Sequence, residues 1–231
     1  MNEDYAKQYN VNRKIATEKS ALVIIDMQYA TGHPEGPLAR KMKQEGNNVT
    51  DWRFQRIKTL VIPNTQKLIS EIRKAGGRII YITIGSALSD YSDAPAHMRD
   101  FFKSLGNHVG QDAHRVIAEL APQQGDPVVR KTTVGAFAST GLDHLLRSLG
   151  CEQLFVTGVS TNMCVETTAR EASDRGYAVR VLLHSRGAAA PTRAHSHVLW
   201  PGAPQPDEHC QPGVAGDAPR EAQGGGHGAR G

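Results

Sequence analysis

Asp26, Lys131 and Cys164 are three residues of reactive type, and each stands at the end of a short apolar run that reads as a strand. Asp26 follows Ala21 to Ile25, Lys131 follows Pro127 to Arg130, and Cys164 opens the helix after Gln153 to Val159. Singly, each has an ordinary reading. An aspartate after a strand forms a turn or caps a helix, a lysine there is solvated, and a lone cysteine is a small buried hydrophobe. Together the three types complement one another. A thiol near a helix N-terminus and an ammonium is expected to have its pKa lowered, which favours the nucleophilic thiolate. Asp26 is placed to take the thiol proton and return it to a departing nitrogen, while Lys131 holds the carboxylate and offsets developing negative charge.

The elements that must position these residues alternate between strand and helix. Ala21 to Ile25 and RIIYITI (Arg78 to Ile84) are unbroken apolar runs of the kind buried on both faces of a parallel sheet. Between them, Phe54, Ile57, Leu60, Val61, Leu68, Ile69 and Ile72 recur at helical spacing over Arg53 to Ala75, with Pro63 able to kink or restart the helix and Gly76 and Gly77 to end it. A short helix is expected over Ala96 to Leu105, another turn over His114 to Leu120, and a helix over Leu142 to Leu149 capped by Ser139 or Thr140. Asn162 to Arg175 then reads as a helix and Tyr177 to Leu183 as a fifth strand. This order predicts an α/β fold, a three-layer α/β/α Rossmann-like sandwich around a mostly parallel sheet. Ligands bind such sheets beyond the carboxyl ends of the strands, where the three reactive residues fall.

The 231 residues suit one domain, and 39% hydrophobic with 22% charged residues is a soluble globular balance. No stretch reaches the roughly 18 apolar residues of a membrane span, and the first residues lack a signal-peptide pattern. No membrane partner and a cytoplasmic location are therefore expected. The net charge of +4 comes without a basic stripe interleaved with aromatics, so no nucleic-acid partner is expected. Cys151, Cys164 and Cys210 are too widely spaced for a disulfide framework or a CxxC metal pattern. From His184 onward, Gly, Pro, Ala, Arg and His dominate without a period, and residues 184–231 are expected to form a disordered tail. Cys210 and the tail histidines His195, His197, His209 and His227 fit no compact ligand set.

Three blocks, ALVIIDMQ (Ala21 to Gln28), VVRKTTVGAFAST (Val128 to Thr140) and VTGVSTNMCVETTAREASDRGY (Val156 to Tyr177), together resemble the isochorismatase-like cysteine hydrolases. That family includes nicotinamidases, N-carbamoylsarcosine amidases and ureidoacrylate amidohydrolases. The resemblance marks residues 20–183 as the hydrolase domain, residues 1–19 as an N-terminal extension and residues 184–231 as an atypical tail. It implies Asp26 as general acid/base, Lys131 as its charge partner and Cys164 as nucleophile. It also implies a cis peptide between Val159 and Ser160, with the backbone N–H groups of Ser160 and Cys164 forming an oxyanion hole.

The implied activity is hydrolysis of a small amide, carbamoyl or ureido compound through a thioester, with no cofactor and with assembly into dimers or tetramers. Two departures from the family stand out. Nicotinamidases carry an Asp and His metal cluster after the second strand, whereas here Ile84, Gly85 and Ser86 follow and His97, His108 and His114 are scattered, so no metal is expected. Family members also continue past the fifth strand with further elements where this chain carries its biased tail. The alternatives are an isochorismatase-type vinyl ether hydrolase, which would work without the cysteine, and an inactive scaffold. Tyr29, Phe137 and the loop containing Tyr91 are candidates to line a substrate pocket or to serve as ordinary packing.

Overall fold

A computed structural model describes residues 15–47 and 49–187, with the side chains of residues 49–50 and 183–187 left aside. Five strands form one parallel sheet: β1 (Ser20–Ile25), β2 (Arg78–Ile84), β3 (Val128–Lys131), β4 (Gln153–Val159) and β5 (Ala178–Gly187). Their order is β3-β2-β1-β4-β5. The chain winds outward from β1 through β2 to β3, then crosses back to lay β4 on the other side of β1. The order therefore reverses between β1 and β4, and there the connecting loops part to leave a crevice.

Alternation along the strands builds two cores. Ala21, Val23 and Ile25 of β1 face one side, joined by Ile80, Ile82 and Ile84 of β2 and Leu154 and Val156 of β4. Leu22 and Ile24, with Ile79 and Tyr81, face the other. Each face is covered by helices, because a strand apolar on both sides must be covered on both. The first core receives Met98 and Phe102 from a helix at Ala96–Leu105, Leu142 and Leu146 from one at Leu142–Ser148, and Ala172 from one at Glu166–Asp174. The second receives Phe54, Ile57, Val61, Ile62 and Ile72. The architecture is the expected three-layer sandwich.

Numbered in chain order, the helices are α1 (Tyr29–Gly32), α2 (Pro37–Gln44), α3 (Val49–Arg56), α4 (Ile62–Lys74), α5 (Ala96–Leu105), α6 (Leu142–Ser148) and α7 (Glu166–Asp174). The helix expected from Arg53 begins earlier, at Val49, and does not break at Pro63. It widens instead into a π turn over Ile57–Val61 before α4. Proline lacks an N–H and its ring crowds the carbonyl four residues back, and a π turn relieves both problems. Short α1 and α2 were not expected. Gly141, without a side-chain cap, occupies the N-cap of α6, although Thr140 Oγ1 accepts the Leu142 N–H at 3.0 Å.

β5 runs four residues further than its apolar stretch. Arg186 pairs with Gly158 and Gly187 with Val159, after a register shift between Val156 and Gly158. Residues 184–187, expected in the tail, thus belong to the sheet. The rest of that tail, with Cys210 and its histidines, lies outside the described residues, as do residues 1–14 of the N-terminal extension. Among the described residues no helix is long and apolar enough to cross a membrane.

Gly158 shows how tightly β4 passes β1. Its φ is 112°, and a Cβ there would lie 2.1 Å from the Ile25 carbonyl oxygen. Gly158→Ala should therefore cost on the order of 3 kcal/mol, from backbone strain added to overpacking. Urea denaturation of parent and variant measures this, and a difference below about 1 kcal/mol would show that β4 can shift away from β1.

Candidate active site

At the end of β1 the chain turns sharply. Asp26 takes φ 54°, a left-handed conformation that short polar residues tolerate better than branched ones. Its N–H donates to the Ile82 carbonyl at 2.9 Å. Its own carbonyl accepts from Gln28 N–H at 2.9 Å and from Thr31 Oγ1 at 2.6 Å. The backbone of Asp26 is pinned on both sides, which fixes where its carboxylate points.

Lys131, the last residue of β3, supplies the partner. Its Nζ lies 3.0 Å from Asp26 Oδ2, with the two side chains 0% and 2% exposed. Because β2 lies between β1 and β3, the contact spans two strand spacings of about 4.8 Å each. Only a long side chain reaches that far. Lys131 Nζ also donates to the carbonyls of Thr133 and Val134, each at 3.0 Å. The ammonium thus has two carbonyl acceptors and one carboxylate as ion-pair partner, and a buried cation is tolerated only with such compensation.

Cys164 arrives from β4. The Val159–Ser160 peptide is cis, and Thr161–Val165 forms a π turn leading into α7. The N–H groups of Met163 and Val165 both donate to the Ser160 carbonyl, at 3.1 and 3.2 Å, closing that turn on itself. Cys164 is 9% exposed, and the Asp26 carboxylate and the Lys131 ammonium are the charges that act on its thiol. The structure brings Asp26, Lys131, Ser160 and Cys164 together at one point, the carboxyl end of the sheet beside the strand-order reversal.

The electrostatics correct one expectation. Burial, with the Asp26 carboxylate second, pushes the Cys164 thiol up to about 12, against the opposing pull of Lys131. The helix N-terminus and the ammonium do not overcome desolvation in a pocket this dry. Burial also raises the Asp26 pKa, although Lys131, Cys164 and Arg53 all pull it down. At neutral pH Cys164 rests as a thiol near a carboxylate of increased proton affinity.

Arg53 is the residue that the sequence did not announce. It is 3% exposed; its Nη1 donates to Ser160 Oγ at 2.8 Å and its Nη2 to the Thr31 carbonyl at 3.1 Å. A signal existed, because residues 53, 57 and 61 share one helical face and Ile57 and Val61 are fully buried there. A charge on that stripe is out of place unless it has work to do. Gln28 is a second such residue. Its side-chain amide accepts from Ile84 N–H at 2.7 Å, and donates to the Ile84 carbonyl at 3.2 Å and the His114 carbonyl at 2.8 Å. It thereby ties the end of β1 to the end of β2.

The ring contacts of Tyr29, Tyr91 and Phe137 are with residues other than Asp26, Lys131 and Cys164. Phe137 is buried between the Arg175 guanidinium, 4.7 Å from its centroid, and the Tyr177 ring at 6.2 Å. Tyr29 is half-buried against the His33 ring at 5.0 Å. Tyr91, with φ 63°, packs edge-on to His108 at 5.5 Å. His114 bonds Asn107 Oδ1 at 2.9 Å, and burial holds its pKa down to about 4. Among the described residues no three His, Cys, Asp or Glu side chains are grouped to hold a metal ion.

Comparison with known proteins places the fold in a family. Residues 20–200 match the isochorismatase domain model, and the chain belongs to the isochorismatase family. It is 33% identical over 165 residues to the uncharacterised isochorismatase family protein YwoC of Bacillus subtilis, covering 69% of this chain and 73% of that one. A cysteine hydrolase from Pseudomonas syringae pv. phaseolicola superposes with TM-score 0.62 at 27% identity, over 77% of this chain and 76% of that one. An N-carbamoylsarcosine amidase from Thermoplasma acidophilum does so with TM-score 0.54 at 26% identity, over 73% and 84%.

The raised Cys164 pKa carries a stability consequence. The folded state holds the thiol proton to about 12, whereas the unfolded chain releases it near 9.0. Above that lower value the unfolded state binds fewer protons, so stability falls as pH rises. Between pH 7.5 and 10.5 this amounts to about 2 kcal/mol. Urea midpoints at the two pH values should show a smaller alkaline loss for Cys164→Ser than for the parent. Equal losses would show that the thiol is not desolvated in the folded chain.

Proposed function

We propose that this chain is a cysteine-dependent amidohydrolase that cleaves the C–N bond of a small amide, carbamoyl or ureido compound through a thioester. The observation that carries the reading is the buried Asp26–Lys131 pair, 3.0 Å apart, beside the Cys164 thiol. The names of the two solved relatives, a cysteine hydrolase and an N-carbamoylsarcosine amidase, support it. The thiol also favours this chemistry over vinyl ether cleavage, which does not require one.

In the cycle, Cys164 Sγ attacks the carbonyl carbon while its proton passes to Asp26. Burial raises the proton affinity of both groups, and their proximity keeps that exchange local. The oxyanion is received by the Ser160 and Cys164 N–H groups. As the C–N bond breaks, Asp26 gives the proton to the departing nitrogen, and the acyl group remains on sulfur. Water then gives its proton to Asp26 and attacks the thioester. The acid leaves and the proton returns to Cys164. Lys131 keeps the carboxylate in place throughout. The same reading takes a small molecule as partner, the cytoplasm as location and a homo-oligomer, dimer or tetramer, as assembly.

Ammonia release from a panel of small amides and ureido compounds tests this, with parent, Cys164→Ala and Asp26→Asn matched for folded content by circular dichroism. The parent should turn over at least one compound. Both variants should lose on the order of a thousandfold or more in kcat. Turnover by Cys164→Ala would remove the nucleophile assignment, and a folded parent inert to the whole panel would remove the amidohydrolase reading.

A further inference from the structure

Arg53 brings a charge into the site that the cycle above does not use. Its two bonded partners, Ser160 Oγ and the Thr31 carbonyl, are neutral. Its Nε is buried without a hydrogen-bond partner. Among the described residues no carboxylate forms an ion pair with it, since Asp26 is committed to Lys131. Among the described residues the buried surroundings of the thiol therefore hold two cations, Lys131 and Arg53, against one carboxylate. Burying a guanidinium without a counter-ion is unfavourable, and burial brings its pKa down to about 10 while Cys164 and Asp26 pull the other way.

A fixed fork of N–H donors matches a planar carboxylate, and buried arginines are the usual partners of one. Arg53 already holds two corners of the site. Ser160 starts the turn that carries Cys164, and Thr31 bonds the Asp26 carbonyl. The free donors of the guanidinium therefore lie within a small molecule's length of the attacking sulfur.

We propose that Arg53 is a specificity-determining residue that binds a carboxylate on the substrate, so that this site hydrolyses small amide or ureido acids in preference to neutral amides. This rests on the assignment of Cys164 as the attacking group. The extra cation is then neutralised when substrate enters, and the acid group anchors the molecule while its amide faces the thiol.

Two alkylating reagents of nearly equal size test the charge requirement without any knowledge of the substrate. Iodoacetate carries a carboxylate and iodoacetamide does not, and labelling of Cys164 is read by peptide mass spectrometry, with Cys164→Ser as the blank for Cys151. In the native chain the ratio of iodoacetate to iodoacetamide rates should exceed that of the urea-unfolded chain at the same pH by roughly tenfold, the scale of one charge-assisted contact. Arg53→Gln should return the ratio to the unfolded value, the iodoacetate rate falling by more than the iodoacetamide rate. Arg53→Lys, which keeps the charge and loses the fork, should fall between.

A native ratio equal to the unfolded one overturns the proposal whether or not either variant folds, and leaves the nucleophile standing. So does an Arg53→Gln chain that slows both reagents equally, which would make Arg53 a support for Ser160 alone. A retained ratio in that variant assigns the attraction to Lys131 and also overturns it. If neither reagent labels Cys164 in the native chain, the carboxylate site and the nucleophile assignment fall together.

Discussion

The ion pair between Asp26 and Lys131 constrains everything around it. Two opposite charges removed from water recover their desolvation cost only if the geometry is close and the remaining hydrogen-bonding positions are filled. Here Lys131 donates to the Thr133 and Val134 carbonyls, whereas neither Asp26 carboxylate oxygen has a hydrogen-bond partner, so the lysine side of the pair carries the compensation. That requirement reaches into the next helix. The loop carrying those carbonyls is clamped by α7, where Thr168 Oγ1 accepts the Ala136 N–H at 3.1 Å and Glu171 Oε2 the Phe137 N–H at 3.0 Å. Gly135 permits this approach, because a Cβ there would lie 2.3 Å from the Glu171 carboxylate. The helix that follows Cys164 thus also orders the loop that holds the lysine, so Cys164 and Lys131 are set by one rigid body.

Topology explains why the pair can form there at all. In a sheet wound outward from β1 in both directions, the ends of β1 and β4 are the place where no crossover covers the carboxyl edge. Asp26 and the Ser160 to Cys164 turn occupy those two ends. The close pass of Gly158 against Ile25 brings β4 near enough for the thiol to meet the carboxylate, and the register shift that follows lets β5 continue beside it. Lys131 comes from the sheet's edge, which is why it must be the longest of the three side chains.

Much of this was legible from residue order, and the reasons for the exceptions are physical. Buried parallel strands announce themselves as apolar runs, so Asp26, Lys131 and Cys164 could be placed at strand ends before any coordinates. Arg53 stood on the apolar stripe of Ile57 and Val61, but what buries it could not be read there, since its partners Ser160 and Thr31 come from other elements. β5 extends into Arg186 and Gly187 because β4 offers backbone partners there, and ladder pairing needs no apolar side chain. The thiol pKa was misjudged for a related reason. The neighbours that lower it are visible in the sequence, whereas the burial that outweighs them is a property of the packed pocket.

That same burial shapes how the pocket handles a proton. Desolvation raises the proton affinity of both Cys164 and Asp26, so it largely cancels when the proton moves from one to the other. What remains is the difference in how well the surrounding charges hold a negative charge on oxygen or on sulfur. Lys131 lowers the pKa of both groups and so serves either ionic state without itself moving. The negative charge can then pass between carboxylate and thiol inside a pocket whose donors are already in place, and water need not reorganise around it. Holding Cys164 as a thiol is in this sense compatible with the proposed attack, because the carboxylate proposed to take its proton is desolvated beside it.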